Sequence, residues 1–205
     1  MEYTSGDRTP EHVEMGIAPQ DITAVIAAGG ASVRFGRDKA TFVVGDETLL
    51  DRTVGIAYKL ASTVLISLPK KESGEPQDWK GIRSRMKVVD DHVSAQGPAA
   101  ALLAGLRAAE TPWLLMLPTD LPFMTASALK GLLEGEDEVA RVAVDRSGRL
   151  HPAVCLVPVL QFDTLLSLAA SGESALHRLL AAINTRDVET EERALHNMNR
   201  PQDAP

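Results

Sequence analysis

An apolar run that breaks into a glycine-rich basic loop, Ile22-Thr23-Ala24-Val25-Ile26-Ala27-Ala28-Gly29-Gly30-Ala31-Ser32-Val33-Arg34-Phe35-Gly36-Arg37-Asp38-Lys39, constrains this chain more than any other segment. Val25 and Ile26 have the character of a buried strand. Gly29-Gly30 let the backbone turn sharply and leave N–H groups open to an anion, and Arg34 and Lys39 supply cations. The loop fits neither of two familiar phosphate-binding patterns. It has no Gly-x-Gly-x-x-Gly, and Gly36-Arg37-Asp38-Lys39 lacks the Lys-Ser/Thr step of a P-loop. Another kind of nucleotide site is expected.

Beyond this loop the chain alternates between strand and helix patterns. Leu50, Val54 and Ala57 share one helical face, with Leu49, Ile56 and Leu60 beside them. Thr63 to Leu68 and Lys87 to Asp91 read as the second and third strands. Gly97-Pro98 opens a helix with Leu102, Leu103 and Leu106 on its buried stripe, proline being tolerated in a first turn. Trp113 to Leu117 is a continuous apolar strand, stopped by Pro118-Thr119-Asp120-Leu121-Pro122. Thr125 is placed to cap a helix that buries Leu129, Leu132 and Leu133. Val139 to Val144 and Leu150 to Val157, joined by an Asp145-Arg146-Ser147-Gly148 turn, form a hairpin-like departure from the βα rhythm. Two short helices follow, striped by Phe162, Leu165, Leu166 and Ala169, then by Leu176, Leu179, Leu180 and Ile183. The expected fold is one three-layer α/β domain over residues 21–205, a mostly parallel sheet with helices on both faces, preceded by a loose extension over residues 1–20.

Composition narrows the function. With 205 residues and 44% hydrophobic content, the chain can bury one sizeable core. A net charge of -7 argues against a general nucleic-acid surface, because phosphate backbones are bound mainly by lysine and arginine. No apolar run approaches the roughly 20 residues that a bilayer span needs, and no secretory signal is visible, so a cytoplasmic location is expected. Cys155 is the single cysteine, which excludes an internal disulfide and a cysteine-based metal cage; its apolar neighbours predict a buried, inert thiol. His12, His92, His177 and His196 show no metal-ligand spacing and read as surface residues.

Ligands of parallel α/β sheets lie beyond the carboxyl ends of the strands. The Gly29 loop, Asp90-Asp91 and Asp120 each follow such an end. Asp120 can hold a divalent cation at a triphosphate, since magnesium accepts one or two carboxylates with water and phosphate oxygens. It can equally cap backbone N–H groups of its own turn. Asp91 either contacts a ligand or simply ends its strand. His151, before Pro152, is either structural or part of an acceptor pocket.

The segment Ala27 to Ala40 resembles the opening signature of the molybdopterin nucleotidyltransferases, and most closely the MobA-type molybdenum cofactor guanylyltransferases. Val88-Val89-Asp90-Asp91, Gly97-Pro98, Pro118-Thr119-Asp120-Leu121-Pro122 and His151-Pro152 match in order. Asn197-Met198-Asn199-Arg200-Pro201-Gln202-Asp203 resembles the closing Asn-x-Asn-x-Pro-x-Asp. The resemblance implies transfer of GMP from GTP to the terminal phosphate of molybdopterin, with Mg2+ as the metal cofactor. It implies GTP bound by Ala27, Ala28, Gly29, Gly30 and Lys39, with Asp91 near the guanosine and Ser67 and Gly97 in the nucleotide site. Asp120 would hold the metal, Arg34 and Lys39 would offset phosphate charge, and Asn197, Asn199 and His151 would lie toward molybdopterin. A GTP-binding accessory protein of molybdenum cofactor synthesis is left open as a further partner. Two departures stand out: the family's usual Leu-Ala-Gly after Gly97-Pro98 is Ala99-Ala100-Ala101, and a frequent asparagine after the second strand is Ser67.

Overall fold

A computed structural model describes residues 16–28, 42–69, 80–82, 84, 86–92, 94–135 and 138–198. Strand β1 (Ile22–Ala27) precedes a small hairpin, β2 (Val43–Val44) and β3 (Glu47–Thr48), followed by helix α1 (Leu49–Ala57) and β4 (Thr63–Leu68). Then come β5 (Val88–Asp90), α2 (Pro98–Ala108), β6 (Trp113–Pro118), a 3-10 helix (Ser127–Leu133), β7 (Ala140–Val144) and β8 (Leu150–Pro158). The described elements close with α3 (Phe162–Ala170), α4 (Leu176–Ala181), β9 (Thr185–Glu189) and a 3-10 turn at Glu192–Leu195. Seven strands form one sheet in the order β5-β4-β1-β6-β8-β7-β9. All run parallel except β8, which is antiparallel to both β6 and β7.

The largely apolar character of β1 follows from burial on both faces. Ile22, Ala24 and Ile26 pack into one layer with Leu50, Ile56 and Ala57 of α1. Val25, pointing the other way, packs with Leu102, Leu103 and Leu106 of α2. The chain moves from β1 to β4 on one side and returns through α2 to β6 on the other. Strand order therefore reverses between β1 and β6, which opens a crevice beyond their carboxyl ends.

Local chemistry sets the helix starts. The Thr48 hydroxyl accepts the Asp51 N–H at 3.0 Å and donates to the Asp51 carboxylate at 2.7 Å, capping α1. Before α2, Gly97 has φ 57 and ψ -140, a conformation closed to residues with a Cβ, and Pro98 then fixes the first helical turn. Ala99, Ala100 and Ala101 are all buried, so the departure from Leu-Ala-Gly is absorbed as core packing. Cys155 is fully buried and its thiol is pushed up to about 12 by desolvation, as an inert core thiol should be.

Three expectations change. The segment after Thr125 is a 3-10 rather than an α-helix, although Thr125 does accept the Ala128 N–H at 3.2 Å and Leu129 and Leu132 are buried. Leu133 is only partly buried. The described end of the expected extension is docked: Ile17 N–H donates to the Leu133 carbonyl at 2.7 Å, and Pro19 accepts from Ser62 N–H at 2.8 Å. Packing therefore already includes Gly16, which bridges to Glu134.

Candidate active site

The described parts of the expected site lie on one rim of the sheet. Register puts Ala27 beside both Ser67 and Pro118, so β1, β4 and β6 end together. Past β1, Ala28 is buried and its N–H donates to the Ser67 carbonyl at 3.1 Å. Leu68 pairs with Asp90 on β5, and Asp91 N–H donates to the Leu68 carbonyl at 2.7 Å. This fixes the half-buried Asp91 at the β4 end. Its carboxylate accepts the Ser67 hydroxyl at 2.5 Å.

Ser67 itself is fully buried. Its hydroxyl is directed at the Asp91 carboxylate, so the expected nucleotide-site residues Ser67 and Asp91 are joined to each other. The sequence carries no spacing signal for this pair, because β4–β5 register brings it together across 24 positions. Gly97 lies on the same rim, at the start of α2.

A cleft of about 440 Å³ runs from Asp91 and His92 along α2 to Ala104 and Arg107. His92, read from sequence as a surface residue, is half-buried and meets the Phe162 ring edge-on at 6.4 Å. Burial, then the nearby Arg107 charge, hold its imidazole below the ordinary histidine range. His177 and His196 are exposed, as anticipated.

Asp120 follows β6 at the topological crevice and is half-buried. Its main-chain carbonyl accepts Met198 N–H at 2.8 Å. Met198 is fully buried against Val44 and Leu49, with Phe42 beside them, so its side chain anchors this junction in the β2–β3 region. Asn197 is thereby brought to the Asp120 turn from far along the chain. Phe123, three residues on, lies under the Arg193 guanidinium at 4.9 Å and beside the His196 ring at 6.1 Å. These stacked contacts tie the same late segment to the same turn.

Antiparallel β8 starts on this rim, where β6 ends, and carries His151 in its first residues. His151 Nε2 lies 3.3 Å from an Asp145 carboxylate oxygen. Gly29, Gly30, Arg34, Lys39 and Asn199 lie outside the described residues.

Among the described residues no cluster of three or more histidine, cysteine or acidic side chains could hold a metal ion. A single carboxylate at the crevice is nonetheless the protein share that magnesium takes when phosphate oxygens and waters complete its octahedron. Asp120 fits that demand.

A model of the MobA-like NTP transferase domain matches residues 24–189, from within β1 to the end of β9. The chain belongs to the MobA-like NTP transferase family. It is accordingly a nucleotidyltransferase. Among curated relatives, a molybdenum cofactor guanylyltransferase of Yersinia pseudotuberculosis is 28% identical over 192 residues, covering 89% of this chain and 93% of that protein. One from Yersinia pestis gives the same identity and coverage.

Solved structures share the fold. Molybdopterin-guanine dinucleotide biosynthesis protein A from Archaeoglobus fulgidus superposes with a TM-score of 0.68 at 16% identity, covering 89% of this chain and 94% of that one. The 2-C-methyl-D-erythritol 4-phosphate cytidylyltransferase from Thermus thermophilus has a TM-score of 0.64 at 20% identity, with 90% and 96% covered. The mostly parallel sheet expected from sequence is thus a nucleotidyltransferase sheet. Among the described residues no helix is long and apolar enough to cross a membrane.

Proposed function

We propose that this chain transfers GMP from GTP to the terminal phosphate of molybdopterin, yielding the guanine dinucleotide and pyrophosphate in the cytoplasm. An oxygen of the acceptor phosphate bonds to the α-phosphorus while the bond from that phosphorus to the α–β bridging oxygen breaks. The electron pair leaves with pyrophosphate. The observation that carries this reading is the Met198-to-Asp120 hydrogen bond at 2.8 Å, which delivers the Asn197 motif to the turn of the candidate metal carboxylate. The guanylyltransferase names of the relatives at 28% identity point the same way.

Phosphoryl-type transfer asks a protein for positioning and charge compensation more than for covalent help. Ala27, Ala28, Gly29 and Gly30 bind the triphosphate beyond β1, with Gly97 in the same nucleotide site. Arg34 and Lys39 balance charge on the departing pyrophosphate. Asp120 would hold Mg2+, whose contribution is Lewis-acid polarisation of the α-phosphate oxygens. Asp91, steadied by Ser67, offers an acceptor to the ring N–H and amino group of guanine. Asn197, Asn199 and His151 stand on the molybdopterin side, and residues 21–205 act as one domain. The acceptor phosphate is ionised at neutral pH and needs no base. A GTP-binding accessory protein that delivers GTP or acceptor is compatible with this arrangement.

Titrating GTP, CTP and ATP in the presence of magnesium, with binding followed by calorimetry, tests the donor. Two guanine-specific acceptors left unmatched by another base cost roughly 1–3 kcal/mol each, so a preference for GTP of about a hundredfold is expected. Preferred binding of CTP would make the chain a cytidylyltransferase, and no nucleotide binding would refute the catalytic reading.

A further inference from the structure

The turn that joins β7 to β8 uses its aspartate for more than closing the turn. One Asp145 carboxylate oxygen, Oδ1, accepts the Ser147 hydroxyl at 2.6 Å, the Ser147 N–H at 2.9 Å and the Arg149 N–H at 3.1 Å. Those bonds are sufficient to fix the turn. The second oxygen, Oδ2, is directed at His151 Nε2 at 3.3 Å. The hydrogen bond from Ser147 is the largest influence holding the Asp145 carboxyl far below its ordinary range, so it is an ionised group that only accepts. His151 must then donate from Nε2. Its other nitrogen, Nδ1, has no hydrogen-bond partner among the described residues.

The strand is irregular at this point. Val142 pairs with Cys155, yet the next residue of β7, Ala143, pairs with His151. Pro152, Ala153 and Val154 are thus accommodated against one step of β7, and Pro152 has no N–H to give to the ladder. Such bulges re-aim a side chain or end pairing, and they concentrate beside active sites. Here the bulge lies between β6, which Asp120 follows, and the turn carrying Asp145.

We propose that Asp145 is a positioning residue that holds His151 with Nδ1 presented to the acceptor substrate, where it takes a hydrogen bond from an N–H or O–H donor of that molecule. This rests on the acceptor-side reading of the rim given above. Asp145 acts only through the ring: it fixes both the rotation and the tautomer. In Asp145→Asn the amide oxygen can keep the Ser147 and Arg149 bonds, while its NH2 faces Nε2. The tautomer reverses, Nδ1 becomes a donor, and donor meets donor.

The test uses the full chain with magnesium, GTP and molybdopterin. Steady-state kinetics give the acceptor KM and kcat, calorimetry gives the GTP Kd, and thermal unfolding checks folding. Asp145→Asn should raise the acceptor KM about tenfold, the scale of one mismatched polar contact, with kcat and the GTP Kd within about twofold. His151→Phe should do the same, and the double variant should be no worse than His151→Phe alone. Unchanged acceptor KM in either variant, multiplied effects in the double variant, or an equal loss in GTP affinity overturns the proposal. If Asp145→Asn fails to fold, an unchanged acceptor KM in His151→Phe still overturns the proposal. A wild-type chain that uses CTP overturns the donor assignment and leaves this test readable with CTP. One that binds GTP yet takes no molybdopterin overturns the acceptor reading and this proposal together.

Discussion

Replacing Gly105 with alanine tests how closely α2 is seated on the centre of the sheet. A Cβ built at Gly105 would stand 2.7 Å from Val25 Cγ1, 2.8 Å from Val25 Cβ and 3.0 Å from Leu114 Cδ2. Two of these atoms belong to β1 and one to β6, and the Val25 Cβ cannot rotate away. Alanine is intrinsically favoured over glycine inside a helix by about 1 kcal/mol. Forcing a methyl into a filled core costs typically 1–3 kcal/mol, and an approach of 2.7–2.8 Å to Val25 puts this site in the upper half of that range, so after the helix gain the expected net is destabilisation by about 1–2 kcal/mol. For a chain of this size that lowers Tm by about 2–8 °C.

Because Gly97 begins the same helix on the ligand rim, displacement of α2 should also weaken nucleotide binding a few-fold. The assay is thermal unfolding of Gly105→Ala, Val25→Ala and the double variant. Val25→Ala removes Cγ1, the atom nearest the new Cβ, but leaves the Val25 Cβ in place, so the double variant should recover part of the loss and be more stable than the sum of the two losses by about 1 kcal/mol. A Gly105→Ala protein as stable as wild type, or strictly additive losses, would refute the close approach.

Asp120→Asn should keep its fold and lose two orders of magnitude or more in turnover, about 3 kcal/mol, because the metal loses its anionic anchor; wild-type turnover at saturating magnesium would remove Asp120 from the metal site. Lys39→Ala should weaken GTP much more than guanosine in a calorimetric comparison, since a phosphate contact is absent from the nucleoside; equal losses would move Lys39 elsewhere. Deleting residues 1–20 should lower Tm by several degrees relative to deleting 1–15, because only the longer deletion removes the main-chain bonds of Ile17 to Leu133 and of Pro19 to Ser62. Equal melting temperatures would show those contacts to be dispensable. Cys155 should resist thiol reagents in the native protein across pH 7–9 and react on unfolding, its folded thiol being held neutral near 12 against about 8.5 when exposed; rapid native labelling would contradict its burial.

The elements that were plain in the sequence are those buried on both faces. The runs Ile22–Ala27 and Trp113–Pro118 are apolar but for Thr23 because both of their faces are covered. Strand β9 escaped notice for the opposite reason. Thr185-Arg186-Asp187-Val188-Glu189 is an edge strand without a fully buried residue, and its polar sequence carries no core signal. The β2–β3 hairpin is too short for a period, although its Gly45, at φ 66, marks the turn.

At the site, Asp91 and Asp120 were legible as acids that follow strands. Ser67 behind Asp91 and Asp145 behind His151 were not, because each supporting contact depends on strand pairing rather than on a run of residues. The junction of Met198 with Asp120 is made by main-chain groups, which leave no trace in residue identity.

The most direct measurement of the central claim is identification of the product. Purified full-length chain, magnesium, molybdopterin and a nucleotide labelled at the α-phosphate would be incubated, pyrophosphate quantified, and the pterin product resolved by mass spectrometry. One pyrophosphate should be released per molybdopterin guanine dinucleotide formed from GTP, with the α-phosphate label retained in the dinucleotide and Asp120→Asn reducing both products together. A cytidine dinucleotide formed in preference, or pyrophosphate release without label on the pterin, would contradict that claim.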